Sequence, residues 1–334
     1  RPNMHAKAVA LTTRPEGMPT IEDFQIVDID VPEPQAGQIQ VKNLSMSVDP
    51  YMRGRMIDRK SYVPPFQIGE VLTGGCIGQI TKSASPEFKE GDYVSSMFGW
   101  REAFTESAEG VKRLGDIVAP ASQYLGALGM PGMTAYAGLL EVGALKNGET
   151  VFVSGAAGAV GSIVGQIAKL KGCTVIGSAG SDEKVALLTT ELGFDHAFNY
   201  NNGSILGHLK ALAPGGLDVY FDNVGAEHLQ AAIMSMRPFG RIALCGAIAT
   251  YNDTAPRPGP NNLSMAIGLG LTLRGFIVNH FDHLADQFRS DMEGWVTSGQ
   301  IVTKETVYNG IDQAPEAFIG LFKGSNTGKM IVNF

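Results

Sequence analysis

Cysteine is scarce in this chain. Cys76, Cys173 and Cys245 stand far apart, each in an apolar, strand-like setting. No disulfide framework can be built from them, so they read as small buried hydrophobes, and a reducing compartment, the cytoplasm, is expected. No C-x-x-C pair occurs, which removes the four-thiolate set of a structural zinc site. Histidine is thin as well. Of His5, His196, His208, His228, His280 and His283, only the last two lie close in sequence, at the mouth of a late helical stretch. A surface cap is the expected role of that pair, so no metal is expected. Long basic runs are missing and the net charge is −7, which argues against a nucleic-acid partner. No apolar run is long enough to span a bilayer. The stretch RPNMHAKAVAL lacks the apolar core of a secretory signal. Neither a G-x-S-x-G elbow nor a phosphate-binding G-K-[ST] loop is present.

What is there suits two globular domains. The chain has 334 residues, 44% hydrophobic and 18% charged, enough for two separate cores. Residues 1–123 read as short alternating strands, at 6–10, 24–31, 38–47, 75–81, 92–98 and 103–107, with Pro and Gly clusters between them. This is a small, partly barrel-like β domain. From 124 to 298 strands and helices alternate, which predicts a parallel sheet covered on both faces. Residues 299–334 return to the earlier style and are expected to rejoin the first domain. The fold class is therefore α/β, a β-rich domain with a doubly wound domain inserted, and the junction of the two is where a site is expected.

The chemistry starts at VFVSGAAGAVGSIVGQIAKLKGCTVIGSAGSDE (151–183). An apolar strand leads into a glycine-rich turn, then a helix over 158–170 and a second strand over 173–178. The turn matches the dinucleotide fingerprint G-x-G-x-x-G with Ala156 in the first glycine position. Gly158 would let the backbone approach a pyrophosphate, and Gly161 would let the helix lie close on the strand. The helix start offers unbonded N–H groups and a positive dipole end to the phosphates. Glycine-rich turns also serve plain strand-to-helix corners; here the flanking elements stand where the cofactor reading needs them.

Folds of this kind that take NAD place an acid about 20 residues past the glycines, on the ribose hydroxyl. Here Gly177, Ser178, Ala179, Gly180 and Ser181 are small and neutral. Asp182 and Glu183 follow, but Ser181 reads as a helix cap with acids in the first turn. Lys184 comes next. A neutral bay with a lysine beside it favours NADPH over NADH; position alone leaves open whether Lys184 reaches a 2′-phosphate or is a solvated helix lysine.

A reaction that needs hydride transfer and hydrogen-bond donors but no metal fits these residues. Hydride addition to the β-carbon of an α,β-unsaturated ketone or aldehyde leaves an enolate, whose oxygen hydroxyl or amide donors can stabilise. Its α-carbon then takes a proton from a tyrosine or water. Tyr51 and Tyr251 are the loop tyrosines in question. Tyr251 follows the strand-end sequence CGAIAT (245–250), at a sheet edge that favours function; for Tyr51 the sequence leaves a half-buried structural role open.

Eight segments carry a resemblance: DPYMRGRM (49–56), MPGMTAYAGLLEVG (130–143), AAGAVGS (156–162), GSAGSDEK (177–184), FNY (198–200), FDNVG (221–225), CGAIATYN (245–252) and GSNTGKMIV (324–332). Nearly end to end, the chain resembles the zinc-independent branch of the medium-chain dehydrogenase/reductase superfamily. Within it the likeness is to the leukotriene hydroxydehydrogenase/prostaglandin reductases, plant 2-alkenal double-bond reductases and bacterial curcumin reductases. The resemblance implies a GroES-like β domain with an inserted Rossmann domain, NADPH as cofactor, small enone or enal substrates, and a homodimer. It implies that Ala157, Gly158, Ala159 and Val160 wrap the pyrophosphate and that Lys184 and Tyr200 hold the 2′-phosphate end. Asn223 would contact the cofactor. Cys245, Gly246, Ala247, Ile248, Ala249, Thr250 and Tyr251 would border the nicotinamide and its ribose. Phe276, Ile277 and Val278 would lie along the nicotinamide, Asn326 would reach the cofactor from the tail, and Tyr51 would line the substrate cleft.

One departure stands out. Animal members carry a tyrosine just after the strand matching 276–278, near the substrate; this chain has Asn279, then His280. Asn279 can hydrogen-bond an enolate oxygen but cannot serve as a phenolic acid. Three rival readings remain: a quinone reductase of the same fold and cofactor, a non-catalytic NADPH-binding protein, and an alcohol dehydrogenase, the last disfavoured by the missing zinc ligands.

Overall fold

The computed structural model describes residues 4–334. The chain divides into two units, Arg1–Leu125 with Glu305–Phe334, and Gly126–Lys304; composition alone puts these switches at 123/124 and 298/299. In the first unit β1 (Met4–Leu11) and β2 (Phe24–Val31) form an antiparallel pair. β3 (Gln38–Ser47) is followed by a single helical turn, α1 (Met52–Arg55), and then by β4 (Cys76–Ser83), β5 (Tyr93–Ser96), β6 (Ala103–Ser107) and β7 (Val111–Arg113). β3 lies inside this sheet, paired with β4 and β6, and its apolar residues Ile39, Val41 and Met46 are wholly buried.

The inner unit opens with α2 (Met130–Ala137), where Pro131 sits in the first turn and needs no N–H partner. Then follow β8 (Thr150–Val153), α3 (Gly161–Leu170), β9 (Thr174–Ala179), α4 (Asp182–Thr190), β10 (His196–Asn199), α5 (Ile205–Leu212), β11 (Leu217–Asp222), α6 (Ala226–Ile233), β12 (Met236–Leu244), α7 (Met265–Leu269), β13 (Thr272–Gly275) and α8 (Ala285–Thr297). The strands are all parallel, in the order β10-β9-β8-β11-β12-β13. Counted within the unit this is 3-2-1-4-5-6, the Rossmann order, with its switch point between β8 and β11. Val151, Phe152 and Val153 have no exposed surface, as a central strand covered on both faces requires.

The tail supplies β14 (Glu305–Asn309), α9 (Ala314–Gly320) and β15 (Lys329–Asn333) to the first unit. There β15 pairs antiparallel with β3 and parallel with β14, completing a seven-stranded sheet. Phe318 of α9 meets the rings of Phe24 and Trp100 edge-on at 6.1 Å, while those two stack at 6.0 Å. Such pairs add about 0.5–1.5 kcal/mol each beyond their burial, so the tail is built into this core.

Some limits differ from the sequence reading. The helix expected from 158 begins at Gly161, because 155–160 are spent on the turn. The strand that the resemblance carries over 276–278 stops at Gly275, and Val278–Leu284 turn as a 3-10 segment. β7 and α7, of three and five residues, carry too little periodicity to be seen in the sequence.

Candidate active site

The parallel topology decides where the candidate residues go. Each strand of the inner sheet ends at the same edge, and a candidate segment follows every one. The phosphate turn (154–160) follows β8, Gly180 to Lys184 follow β9, and Tyr200 follows β10. Asn223 follows β11, 245–251 follow β12, and 276–279 follow β13. Ligands bind at this edge in open α/β sheets.

In the phosphate turn, Gly155 has φ +58°, a left-handed conformation that favours glycine. It takes the tight-turn role that Ala156 cannot, so the fingerprint is shifted by one residue rather than broken. At Gly161 a Cβ would stand 2.2 Å from the Gly155 oxygen and 2.9 Å from the Ala156 Cα. Only glycine lets α3 begin this close to its strand. At Gly158 a Cβ would meet one atom only, the Gly155 carbonyl oxygen at 3.3 Å, a tight contact but a far milder one than at Gly161. The helical ladder starts with Ser162 N donating to Gly158 O, which leaves the Val160 and Gly161 amides without a helical acceptor. These features fit a pyrophosphate.

The tip of β9 is neutral. Ser178 is buried, with its Oγ 3.0 Å from His228 Nε2. Ser181 caps α4 by accepting the Lys184 amide at 3.3 Å, as the sequence suggests. The Asp182 carboxylate accepts Asn199 Nδ2 at 3.0 Å and Asn202 Nδ2 at 3.1 Å, so it ties the β10 loop to α4. Lys184 is half-buried, and burial draws its ammonium below the usual lysine range, opposed by Glu183. Tyr200 lies across Gly180, where an added Cβ would come within 2.7 Å of the phenol oxygen. A lysine and a phenol beside a strand tip whose nearest acid, Asp182, is engaged by Asn199 and Asn202 fit a 2′-phosphate rather than a bare ribose diol.

At the switch point, Asn223 Nδ2 donates to Ser154 O at 2.8 Å and its amide donates to Ser154 Oγ at 3.0 Å. Asp222 Oδ1 accepts the Tyr220 hydroxyl at 2.6 Å and the amides of Val224 and Gly225 at 3.0 and 2.8 Å. Burial still holds the Asp222 carboxyl above its usual range, against those donors. Beside it, burial and the Asp222 charge push the Cys245 thiol up to about 12, so it stays a thiol. The 245–251 loop is anchored by Ile248 N to Asn223 O and Ala249 N to Val224 O, both 3.2 Å. Tyr251 closes it by accepting the Ala247 amide at 3.0 Å. Phe276 is buried edge-on against Phe221, over Gly138, where a Cβ would stand 2.4 Å from the Phe276 ring. Ile277 and Val278 are half-buried, and Asn279 is exposed in the 3-10 turn.

Tyr51 and Asn326 belong to the first unit. Tyr51 immediately precedes α1, and burial beside Asp49 raises its phenol well above the ordinary value. Asp49 itself is buried, accepting Lys329 Nζ at 2.7 Å and Ser47 Oγ at 2.6 Å. Asn326 Nδ2 donates to Gly328 O at 2.8 Å, shaping the turn before β15. Among the described residues no group of three or more His, Cys, Asp or Glu is arranged to hold a metal. The residue the sequence reading missed is His228. A histidine in AEHLQAAI reads as one polar residue on a helix, and only the fold reveals Ser178, 50 residues away, as its partner.

Two family models match: the N-terminal domain of oxidoreductase over residues 7–114 and the zinc-binding dehydrogenase over 159–295. The chain is 40% identical to the NADPH-dependent curcumin reductase of Escherichia coli, over 96% of this chain and 95% of the relative. It is 43% identical to the NADP(+)-dependent 2-alkenal reductase of Nicotiana tabacum, over 98% and 96%. Among solved structures, CurA from Vibrio vulnificus in complex with NADPH superposes with a TM-score of 0.93 at 40% identity, covering 98% of this chain and 99% of that one.

Proposed function

We propose, from the premise that this chain belongs to the zinc-independent medium-chain dehydrogenase/reductase family, that it reduces the carbon–carbon double bond of α,β-unsaturated ketones and aldehydes with NADPH. The observation that carries the reading is the single sheet edge at which all six carboxyl strand ends present the phosphate turn, the neutral bay with Lys184 and Tyr200, and the loop closed by Tyr251.

When bound, NADPH supplies the hydride. The protein's part is to bind, orient and donate. The turn at Ala157, Gly158, Ala159 and Val160, with the Val160 and Gly161 amides, holds the pyrophosphate. Lys184 and Tyr200 take the 2′-phosphate. Asn223 and residues 245–251 border the nicotinamide, with Phe276, Ile277 and Val278 behind it, and Asn326 contributes from the tail. As hydride reaches the β-carbon, charge grows on the carbonyl oxygen, and Tyr51, Tyr251 and Asn279 are the donors assigned to it. Tyr51 is so raised that it stays an O–H donor and is never a base at working pH. The α-carbon proton comes from a phenol or from water.

The protein is further assigned to the cytoplasm as a homodimer. Its three cysteines are all unpaired, and no helix among the described residues is long and apolar enough to cross a membrane. Phe239 and Ile267, 76% and 85% exposed near the open β13 edge, support self-association. The activity is tested by following NADPH oxidation with a linear enone and, separately, with a benzoquinone. Formation of the saturated ketone is expected. Turnover of the quinone alone, or NADPH binding with no turnover across a panel of activated alkenes, contradicts the proposal.

A further inference from the structure

We infer that His228 is a positioning residue for the cofactor: its ring holds Tyr200 across Gly180 and so sets the grip on the 2′-phosphate end. The inference rests on the reading of Tyr200 as a cofactor residue. His228 lies in the first turn of α6 and is only 4% exposed. Three contacts fix its ring. Nε2 lies 3.0 Å from Ser178 Oγ, the Phe152 ring is nearly parallel at 6.4 Å, and the Tyr200 ring meets it edge-to-face at 5.2 Å and 78°. Tyr200 is 39% exposed. Its backbone amide donates to Ala179 O at 3.2 Å, but that bond leaves the side chain free to rotate. Among the described residues His228 is the one ring packed against it. Burial draws the imidazole down to about 4, so it packs as a neutral ring at working pH, with Ser178 holding one nitrogen. A phenol held in one rotamer loses less freedom when it meets a phosphate than one that must be ordered on binding.

Three substitutions separate the contributions. His228→Gln keeps a hydrogen-bonding group for Ser178 but removes the ring. His228→Phe keeps the ring and loses the hydrogen bond. Ser178→Ala frees the ring with the least disturbance to folding, and serves if either histidine variant is unstable. With a linear enone as substrate, His228→Gln is expected to raise KM for NADPH about fivefold, the worth of one aromatic pair. Its kcat and its KM for NADH stay unchanged. His228→Phe stays within about twofold of the parent, and Ser178→Ala shifts KM for NADPH in the same direction as Gln, by about twofold. In a Tyr200→Ala background the His228→Gln effect vanishes. An equal rise in KM for NADH, a Phe variant as impaired as Gln, or an effect that survives in Tyr200→Ala overturns the assignment. If Tyr200→Ala weakens NADPH while His228→Gln and Ser178→Ala do not, the assignment of His228 alone is overturned. If Tyr200→Ala leaves NADPH untouched, the placement of Tyr200 falls, and the role of His228 with it.

Discussion

The Tyr251 hydroxyl accepts the backbone amide of Ala247 at 3.0 Å, so the phenol is built into the loop it follows. Tyr251→Phe leaves that amide without its acceptor and loosens 245–251 beside the assigned nicotinamide position. Turnover of an enone is expected to fall about threefold to tenfold. A stability loss of about 1 kcal/mol accompanies it, the usual worth of one such hydrogen bond. Steady-state kinetics with a thermal melt check both; unchanged kinetics remove Tyr251 from the site.

Gly158 and Gly161 should respond differently to alanine. At Gly161 the new Cβ would strike backbone at 2.2 Å, so Gly161→Ala is expected to cost about 1–3 kcal/mol of stability, as overpacking does. At Gly158 the one close neighbour is the Gly155 carbonyl oxygen at 3.3 Å, so Gly158→Ala is expected to fold and to lose less stability than Gly161→Ala. Its methyl group would instead occupy the approach of the pyrophosphate, and NADPH affinity measured by fluorescence titration should drop at least tenfold. A Gly158→Ala variant with full NADPH affinity places the phosphates elsewhere.

Lys184→Ala is expected to weaken NADPH by about 10- to 100-fold, the loss of one charge-assisted hydrogen bond, and to leave NADH affinity within twofold. Isothermal titration with both nucleotides decides it; equal losses for the two refute a 2′-phosphate role.

His228 also predicts a pH effect. Its folded-state value of about 4 lies below the ordinary 6.5. Between those values the unfolded chain binds the extra proton and the native state does not, so stability rises with pH across that window. The contribution lost on acidification from 6.5 to 4 is on the order of 3 kcal/mol. His228→Phe has no such proton to bind. Denaturant midpoints at pH 7 and pH 4.5 should therefore converge for the variant relative to the parent, and identical acid slopes for the two contradict this.

Much of the site is legible in the sequence because parallel strands place their carboxyl ends together, and the strands themselves are read from apolar runs. β2, β3 and β6 have the limits the alternating runs give. What was not legible depends on contacts distant in sequence. The positive φ of Gly155 is a backbone fact that replaces a glycine the motif lacks at Ala156. The end of β13 at Gly275 is hidden because Phe276, Ile277 and Val278 are apolar whether they pair in a sheet or, like Phe276, pack on Phe221. Asp182 reads as a first-turn helix acid, and it is one, but its engagement by Asn199 and Asn202 across the β10 loop is not visible in the sequence. His228 has no local signal at all.

The most direct test of hydride delivery to carbon follows the label. The protein is incubated with NADPH deuterated at the transferable position and a linear enone, and the product is analysed by NMR. One deuterium on the β-carbon of a saturated ketone is the expected result. Deuterium on the carbonyl carbon of an allylic alcohol, or no label in any product, contradicts the account.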